Sequence, residues 1–333
     1  MKNASRRNFI HGSVSLGMTA LTRGSNESSV SIDSRASTQP GVAADHFFPV
    51  FRPLRIDVGE LQINGMIGGS GPPLLLLHGS PQTHITWRKV APELAKKYTV
   101  VVTDLRGYGD SSKPPASPTH DLYSKRAMAG DQLTVMKKLG FERFCVVGHD
   151  RGGRVAHRMV LDHPEAVSKL AVLDIVPTYK IFTTVTREVA TRYYYQFLLA
   201  APSPVPETLI GSNAEFWLST RMRDVMPAFV DEEAFAEYKR CFANPSGIEA
   251  NCEDYRASWT IDAEHDKADL DRKIECPLLV LWGNAGRLEP MYDVMECWKE
   301  RATDVRGHVM AATHWLPEQV PAELCAELIK FLG

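Results

Sequence analysis

Gly148-His149-Asp150-Arg151-Gly152 directly follows the apolar run Phe144 to Val147 and precedes a helical pattern beginning near Arg154. Glycines on either side of one residue, between a strand and a helix, allow a sharp turn that holds the middle side chain out at a sheet's carboxyl edge. The helix dipole and backbone N–H groups favour negative charge there. The middle residue is Asp150, which excludes acyl transfer of the serine type. Its carboxylate can instead attack an sp³ carbon and form an ester. An aspartate alone is common as a helix N-cap, but both glycines and the upstream strand favour the nucleophile. Hydrolysis of such an ester needs water activated by a neutral imidazole, with an acid to set the tautomer. His314, after the strand-like Val305 to Ala311 and before Trp315 and Pro317, is the candidate base among eleven histidines. Asp174, ending the run Leu170 to Leu173, and Glu289, several residues past Leu278 to Leu281, compete to orient it.

Two further loops carry chemistry-bearing residues. His78-Gly79-Ser80-Pro81 follows the run Leu74 to Leu77, where a backbone N–H can serve an oxyanion hole and Ser80 can meet substrate. Asp104-Leu-Arg-Gly-Tyr-Gly-Asp-Ser111 reads as a structural turn, and His149 as a packing or orienting residue.

Short apolar runs alternating with amphipathic stretches must position these loops, a pattern of a mostly parallel sheet with helices on both faces. Arg55 to Val58 and Leu61 to Met66, around Gly59, read as an opening hairpin. Leu74 to Leu77, Thr99 to Thr103, Phe144 to Val147, Leu170 to Leu173, Leu278 to Leu281 and Val305 to Ala311 read as buried strands. Helices are predicted over Trp87 to Lys97, Lys125 to Leu139 and Pro321 to Phe331. Between about Pro177 and Lys273 no buried strand is convincing, and the interval is too long for a simple crossover. It reads as an inserted, mostly helical cap. The strand, turn and motif order resembles the α/β-hydrolase fold: a mostly parallel eight-stranded sheet flanked by helices. The core then covers residues 46–176 and 274–333, and the cap 177–273. The loop Gly283-Asn-Ala-Gly-Arg287 lacks the aspartate that many members of this fold carry there, which favours Asp174 as the acid.

Composition limits the alternatives. The 333 residues are 44% hydrophobic and 23% charged, as in ordinary globular proteins, and suffice for a large core without staples. A formal net charge of −2 gives no electrostatic case for nucleic acid. No run approaches the roughly 18 apolar residues of an integral membrane segment. The six cysteines form no CxxC pair and share no zinc-like spacing with histidine, so no metal site is expected and the thiols read as small buried hydrophobes. Ser5-Arg6-Arg7-Asn8-Phe9-Ile10 and the weakly apolar Gly12 to Leu21 resemble a twin-arginine export signal, followed by a Ser/Thr/Asn/Gln/Gly-rich linker up to about residue 45. The expectation is periplasmic or secreted, with a disordered basic tail on a cytoplasmic protein as the other reading. A small-molecule substrate, and a homodimer as the assembly to test, complete it.

Several blocks resemble the haloacetate (fluoroacetate) dehalogenases over about residues 50 to 333. They are His78-Gly-Ser-Pro-Gln-Thr-His84, Lys125-Arg-Ala-Met-Ala129, Gly148-His-Asp-Arg-Gly-Gly-Arg154, Leu170 to Thr178, Cys252-Glu-Asp-Tyr-Arg256 and Glu264-His-Asp-Lys267. The resemblance implies Asp150 as nucleophile, His314 as base and Asp174 as its partner, with no cofactor. It also implies that Arg151 and Arg154 grip a substrate carboxylate, which suits the forked guanidinium. That family's cap donates to the halide from a His-Trp pair and a tyrosine. Tyr255 matches the tyrosine, but Tyr195-Gln196 stands in place of His-Trp. Fluoride is a poor leaving group that needs strong donors, so chloro- or bromo-acids fit better. Tyr195 with Tyr255 is also similar to the paired tyrosines of soluble epoxide hydrolases, which share the carboxylate nucleophile and the HGxP loop. A haloacid dehalogenase is favoured over an epoxide hydrolase; a ligand-binding protein without catalysis is the third reading, opposed by the intact Asp150–His314–Asp174 set.

Overall fold

The computed structural model describes residues 45–333, Pro227 excepted; the twin-arginine-like signal and linker lie outside the described residues. Eight strands form one sheet: β1 (Phe51–Val58), β2 (Leu61–Gly68), β3 (Pro73–Leu77), β4 (Thr99–Thr103), β5 (Phe144–His149), β6 (Val167–Leu173), β7 (Leu278–Gly283) and β8 (Val305–Met310). Their order across the sheet is β1-β2-β4-β3-β5-β6-β7-β8. The opening hairpin pairs antiparallel with itself and with β4, and every later pairing is parallel. Leu74 to Leu77 are fully buried in the sheet centre. Each such leucine contributes about 1.5–3 kcal/mol, which explains a strand made almost wholly of leucine.

Three helices accompany the first half of the sheet: α1 (Ala91–Leu94), α2 (Lys125–Lys138) and α3 (Arg151–Asp162). Ser124 starts α2 by accepting the Ala127 N–H at 3.1 Å. The helix expected over Trp87 to Lys97 is shorter than the pattern suggests. A 3-10 turn covers His84–Trp87, and α1 restarts around Pro92 and runs four residues. Proline lacks the N–H that would continue a helix through it and disfavours helical geometry in the residue before it. Similarly, α3 begins at Arg151 rather than near Arg154, so both arginines lie in its first turns.

Between β6 and β7 the described residues contain eight helices and no strand: α4 (Thr178–Thr183), α5 (Arg187–Arg192), α6 (Tyr194–Leu199), α7 (Val205–Gly211), α8 (Ala214–Met222), α9 (Glu232–Phe242), α10 (Pro245–Trp259) and α11 (Ile261–Ala268). Asp231 and Asn244 cap α9 and α10 through their side chains. Helices α12 (Val294–Lys299), α13 (Leu316–Gln319) and α14 (Pro321–Leu332) close the chain. Among the described residues no helix is long and apolar enough to cross a membrane. All six cysteines are unpaired, four of them buried.

Candidate active site

Parallel strands bring their carboxyl ends to one edge, the usual site of chemistry in such sheets. His78, Asp104, Asp150 and Asp174 follow β3, β4, β5 and β6 directly, and His314 lies just past β8. Asp150 has φ 48° and ψ −115°, a region L-residues rarely adopt. Its N–H donates to the Leu173 carbonyl at 3.2 Å, and the Gly152 N–H to the His78 carbonyl at 2.9 Å. The backbone passes so close here that a Cβ on Gly152 would sit 2.5 Å from the His78 oxygen, and one on Gly148 2.4 Å from the Gly152 oxygen. Only glycine fits either position. The Asp150 side chain makes no capping bond to α3. It faces His314 instead, with Oδ2 3.6 Å from Nε2.

On the far side of that ring, His314 Nδ1 donates to Asp174 Oδ2 at 2.6 Å. The other Asp174 oxygen accepts the Gly283 N–H at 3.0 Å. Glu289, the competing carboxylate, accepts from Trp282 Nε1 at 3.0 Å, and Asp174 alone of the two bonds to His314. His149 Nε2 donates to the His314 carbonyl at 2.8 Å. Burial and the neighbouring His314 charge push the His149 pKa down to about 4, so its neutral ring anchors the backbone of His314. Burial opposes charge on Asp150, yet His314, then Arg151, hold its carboxyl well below the usual range. Burial likewise opposes charge on His314, but Asp150 and Asp174 on its two nitrogens push it up to about 10. The resting pair is therefore carboxylate and imidazolium near neutrality.

Arg151 is buried beside this pair. Its Nε and Nη2 bind the Asp254 carboxylate at 2.8 and 2.7 Å, and Nη2 also donates to the Asp254 carbonyl and to Ser258 Oγ. Lys125 Nζ and Tyr108 O–H bind the same carboxylate. Burial disfavours the Arg151 charge, but Asp254 more than restores it. One edge of the guanidinium is thus committed within the protein, leaving Nη1 outside these bonds. Arg154 Nη1 donates to the Val176 carbonyl at 3.1 Å and to Thr178 Oγ1 at 3.3 Å. Burial and the nearby Arg151 charge lower its pKa. Among the described residues it has no carboxylate partner, so an anion there would be welcome.

The buried Ser80 Oγ accepts Asn251 Nδ2 at 2.9 Å, which fixes the loop against α10 and leaves the Ser80 O–H proton to donate. His78 Nε2 accepts the Leu105 N–H, so Nδ1 carries the proton donated to the Gly79 carbonyl. Asp104 ties its turn together, as the sequence suggests. It accepts His84 N–H and Nδ1 on one oxygen and Asn64 Nδ2 and Asp110 N–H on the other.

Tyr195 on α6 and Tyr255 on α10 meet edge to face, 6.2 Å between ring centroids, both buried. Arg151 lies 4.3 Å over the Tyr255 ring. Arg221 lies 3.2 Å over the Tyr195 ring and Arg287 5.4 Å from it. Burial raises the Tyr195 pKa, but these two cations outweigh it and the net shift is downward. Burial, then the Asp150 charge, pushes Tyr255 up. The sequence reading missed Lys125, Asp254, Arg221 and Arg287 as site residues. Lys125 and Asp254 sit within the motif blocks and could have been found as charges in them; an isolated arginine such as Arg221 carries no local signal. A potential ligand trio among the described residues, Asp110, Glu237 and Cys241, is occupied by Arg240, which bonds both carboxylates at 2.7 Å.

This strand order, with a strained aspartate turn after β5 and a His–Asp pair beyond it, defines a protein of the α/β-hydrolase fold. The chain belongs to that family, whose alpha/beta hydrolase fold pattern matches residues 72–318, and it is a hydrolase. It is 45% identical over 294 residues to the fluoroacetate dehalogenase of a Burkholderia species, covering 86% of this chain and 95% of the other. It is 32% identical to the soluble epoxide hydrolase of Corynebacterium sp. (strain C12), covering 82% and 96%. The structure of a candidate alpha/beta hydrolase from Nostoc sp PCC 7120 superposes with TM-score 0.84 at 53% identity, covering 86% and 99%.

Proposed function

We propose that the protein hydrolyses short 2-haloacids through an ester on Asp150. The observation that carries this reading is the Asp150 carboxyl 3.6 Å from His314, with Arg151 and Arg154 on the first turns of the same helix. Arg154 and Nη1 of Arg151 hold the substrate carboxylate. An Asp150 oxygen attacks the α-carbon, forming a C–O bond as the carbon–halogen bond breaks and halide leaves. Esterification removes the Asp150 charge that sustains the His314 proton, so the imidazole becomes a stronger acid and empties. Neutral His314, oriented by Asp174, then takes a proton from water as the water oxygen attacks the Asp150 ester carbonyl. The tetrahedral adduct collapses, the departing 2-hydroxyacid oxygen takes that proton from His314, and the new Asp150 carboxyl passes its own proton to the imidazole, restoring the carboxylate–imidazolium pair. The likeness to the Burkholderia enzyme, 45% identical, supports the same chemistry here.

Epoxide opening is the second reading, favoured by the adjacent Tyr195 and Tyr255 rings and by the likeness to the Corynebacterium enzyme. There the phenols would donate to the epoxide oxygen while Asp150 attacks carbon. Halide release and diol formation, measured on chloroacetate, fluoroacetate and styrene oxide with Asp150→Asn as control, separate the two. Arg154→Gln is the discriminating variant, because Arg151 is locked to Asp254 and its loss would break a buried pair at about 3–5 kcal/mol. Haloacid turnover should fall at least about tenfold through KM, the cost of one lost charged hydrogen bond, with epoxide opening unchanged; unchanged haloacid turnover refutes the clamp. Residues 177–273 act in this reading as a cap over a 46–176 and 274–333 core. The Arg6–Arg7 segment would direct export, and a homodimer is the proposed assembly.

A further inference from the structure

Glu318 is buried on α13, four residues past His314, and takes no part in the proposed reaction. A buried carboxylate is unfavourable unless donors surround it. Arg88, just past the 3-10 turn His84–Trp87, reaches both of its oxygens through Nη1, at 2.7 and 2.8 Å. Gln82, two residues beyond Ser80 in the loop after β3, donates from Nε2 to Oε1 at 3.3 Å. A further donor comes from the cap: the buried Tyr238 hydroxyl on α9 bonds to Oε1 at 2.8 Å. Burial, then the Glu318 charge, pushes the Tyr238 pKa well up, so it stays a phenol that can donate. At Glu318 itself burial outweighs these partners and the net shift is upward, so the carboxylate depends on each donor it has. The cap meets the same place twice more. Asp231 lies 3.5 Å from Arg88 Nη2, and the Phe229 carbonyl accepts from Lys89 Nζ.

His314 is tied to this carboxylate by a short stretch of chain that folds as one piece. The Thr313 N–H and Oγ1 both donate to Gln319 Oε1, at 2.8 and 2.9 Å. The Glu318 and Gln319 N–H groups both donate to the Trp315 carbonyl at 3.0 Å. Trp315 is buried, and its ring meets that of His314 edge to face at 5.1 Å. A shift of Glu318 therefore carries His314 with it. The imidazole has little room for that, with Asp174 at 2.6 Å on one side and Asp150 at 3.6 Å on the other.

We propose that Tyr238 and Glu318 are positioning residues for His314: the cap hydroxyl fixes Glu318, Glu318 holds residues 313–319, and the base is aligned only while α9 is in place. The proposal rests on His314 acting as the base in ester hydrolysis. Attack by Asp150 needs no base, so only the second step depends on this support. A misplacement of about 1 Å caused far from the chemistry can slow a reaction about 10²-fold. Loss of one hydroxyl, with Arg88 still holding Glu318, should cost about a tenth of that.

The test is rapid-quench kinetics of full-length Tyr238→Phe with chloroacetate, reading halide release and breakdown of the Asp150 ester separately, beside a proton NMR spectrum. Halide release and KM should hold within about twofold while ester breakdown slows about tenfold, the split expected when only the base is displaced. The downfield proton of the His314–Asp174 bond, assigned by its loss in His314→Gln, should shift or broaden. Ester breakdown at the wild-type rate, or an unmoved proton signal, overturns the proposal. So does an equal loss in both steps, the mark of a hydroxyl that only stabilises the fold. If the wild-type protein forms no ester from chloroacetate or styrene oxide, the hydrolytic readings fall and the proton signal decides alone. Moved in Tyr238→Phe, it upholds the link from cap to His314; unmoved, it overturns it. Should Tyr238→Phe fail to fold, Glu318→Gln, which keeps an oxygen for the Tyr238 hydroxyl and loses only the charge, must slow ester breakdown selectively or the proposal fails.

Discussion

Asp174→Asn separates the two halves of the proposed reaction. Asparagine tolerates the positive φ of 51° that this position requires, and its amide oxygen can keep the 3.0 Å bond from the Gly283 N–H. The amide nitrogen then faces His314 Nδ1, where a carboxylate oxygen stood at 2.6 Å. It can only donate, so Nδ1 must accept and the ring proton moves to Nε2. A ring protonated on Nε2 cannot take a proton from water. The wrong tautomer costs on the order of 10³–10⁴ in rate, or about 4–5 kcal/mol of barrier, in the hydrolytic step alone. Attack by Asp150 needs no base, so its step should survive within about tenfold, the loss of one tuned charge. Rapid-quench measurement with chloroacetate should therefore show a halide burst near one equivalent followed by slow turnover. Mass spectrometry of the quenched protein should find a carboxymethyl ester on Asp150. Absence of the burst with equally slowed single-turnover halide release would refute this division of labour, as would unimpaired steady-state turnover.

Two further outcomes follow from the geometry. Gly152→Ala places a methyl 2.5 Å from the His78 carbonyl, a backbone clash that should cost about 1–3 kcal/mol of stability, read from denaturant midpoints; an unchanged midpoint contradicts the close approach. The His314 pKa is raised to about 10 from 6.5, so its stabilisation is complete below about 6.5 and is lost as pH rises toward 10. Over that window the wild-type unfolding constant should rise by up to about tenfold per pH unit, and His314→Gln should flatten the curve; identical curves would deny the ion pair.

Much of this was legible because single letters carry local physics. Runs such as Leu74 to Leu77 admit one placement, inside a sheet covered on both faces. The two glycines about Asp150 announce a turn that the backbone contacts now explain, and the loop Gly283 to Arg287, lacking an aspartate, pointed to Asp174. What was not legible depends on partners distant in sequence. Asp254 restrains Arg151 across 103 positions, and nothing near either residue says so. Ser80 is tied to Asn251, 171 positions on, a contact that no local pattern announces. The false helix over Trp87 to Lys97 was a failure of another kind, since its spacing was right and Pro92 overrode it.

The insertion between β6 and β7 is one contiguous stretch of chain, yet Asp150, His314 and Asp174 all lie outside its helices. On the proposed reading, that segment can be exchanged while the three candidate catalytic residues stay in place. One limit on that freedom is Asp254. It travels with the insertion but balances a cation belonging to the core, so a transplanted segment lacking a carboxylate at this place would strand Arg151. Any lineage or laboratory graft that diversifies this region has to carry that acidic residue, together with Asp262 and Asp266, which bind the buried Lys125 and Arg301 outside it.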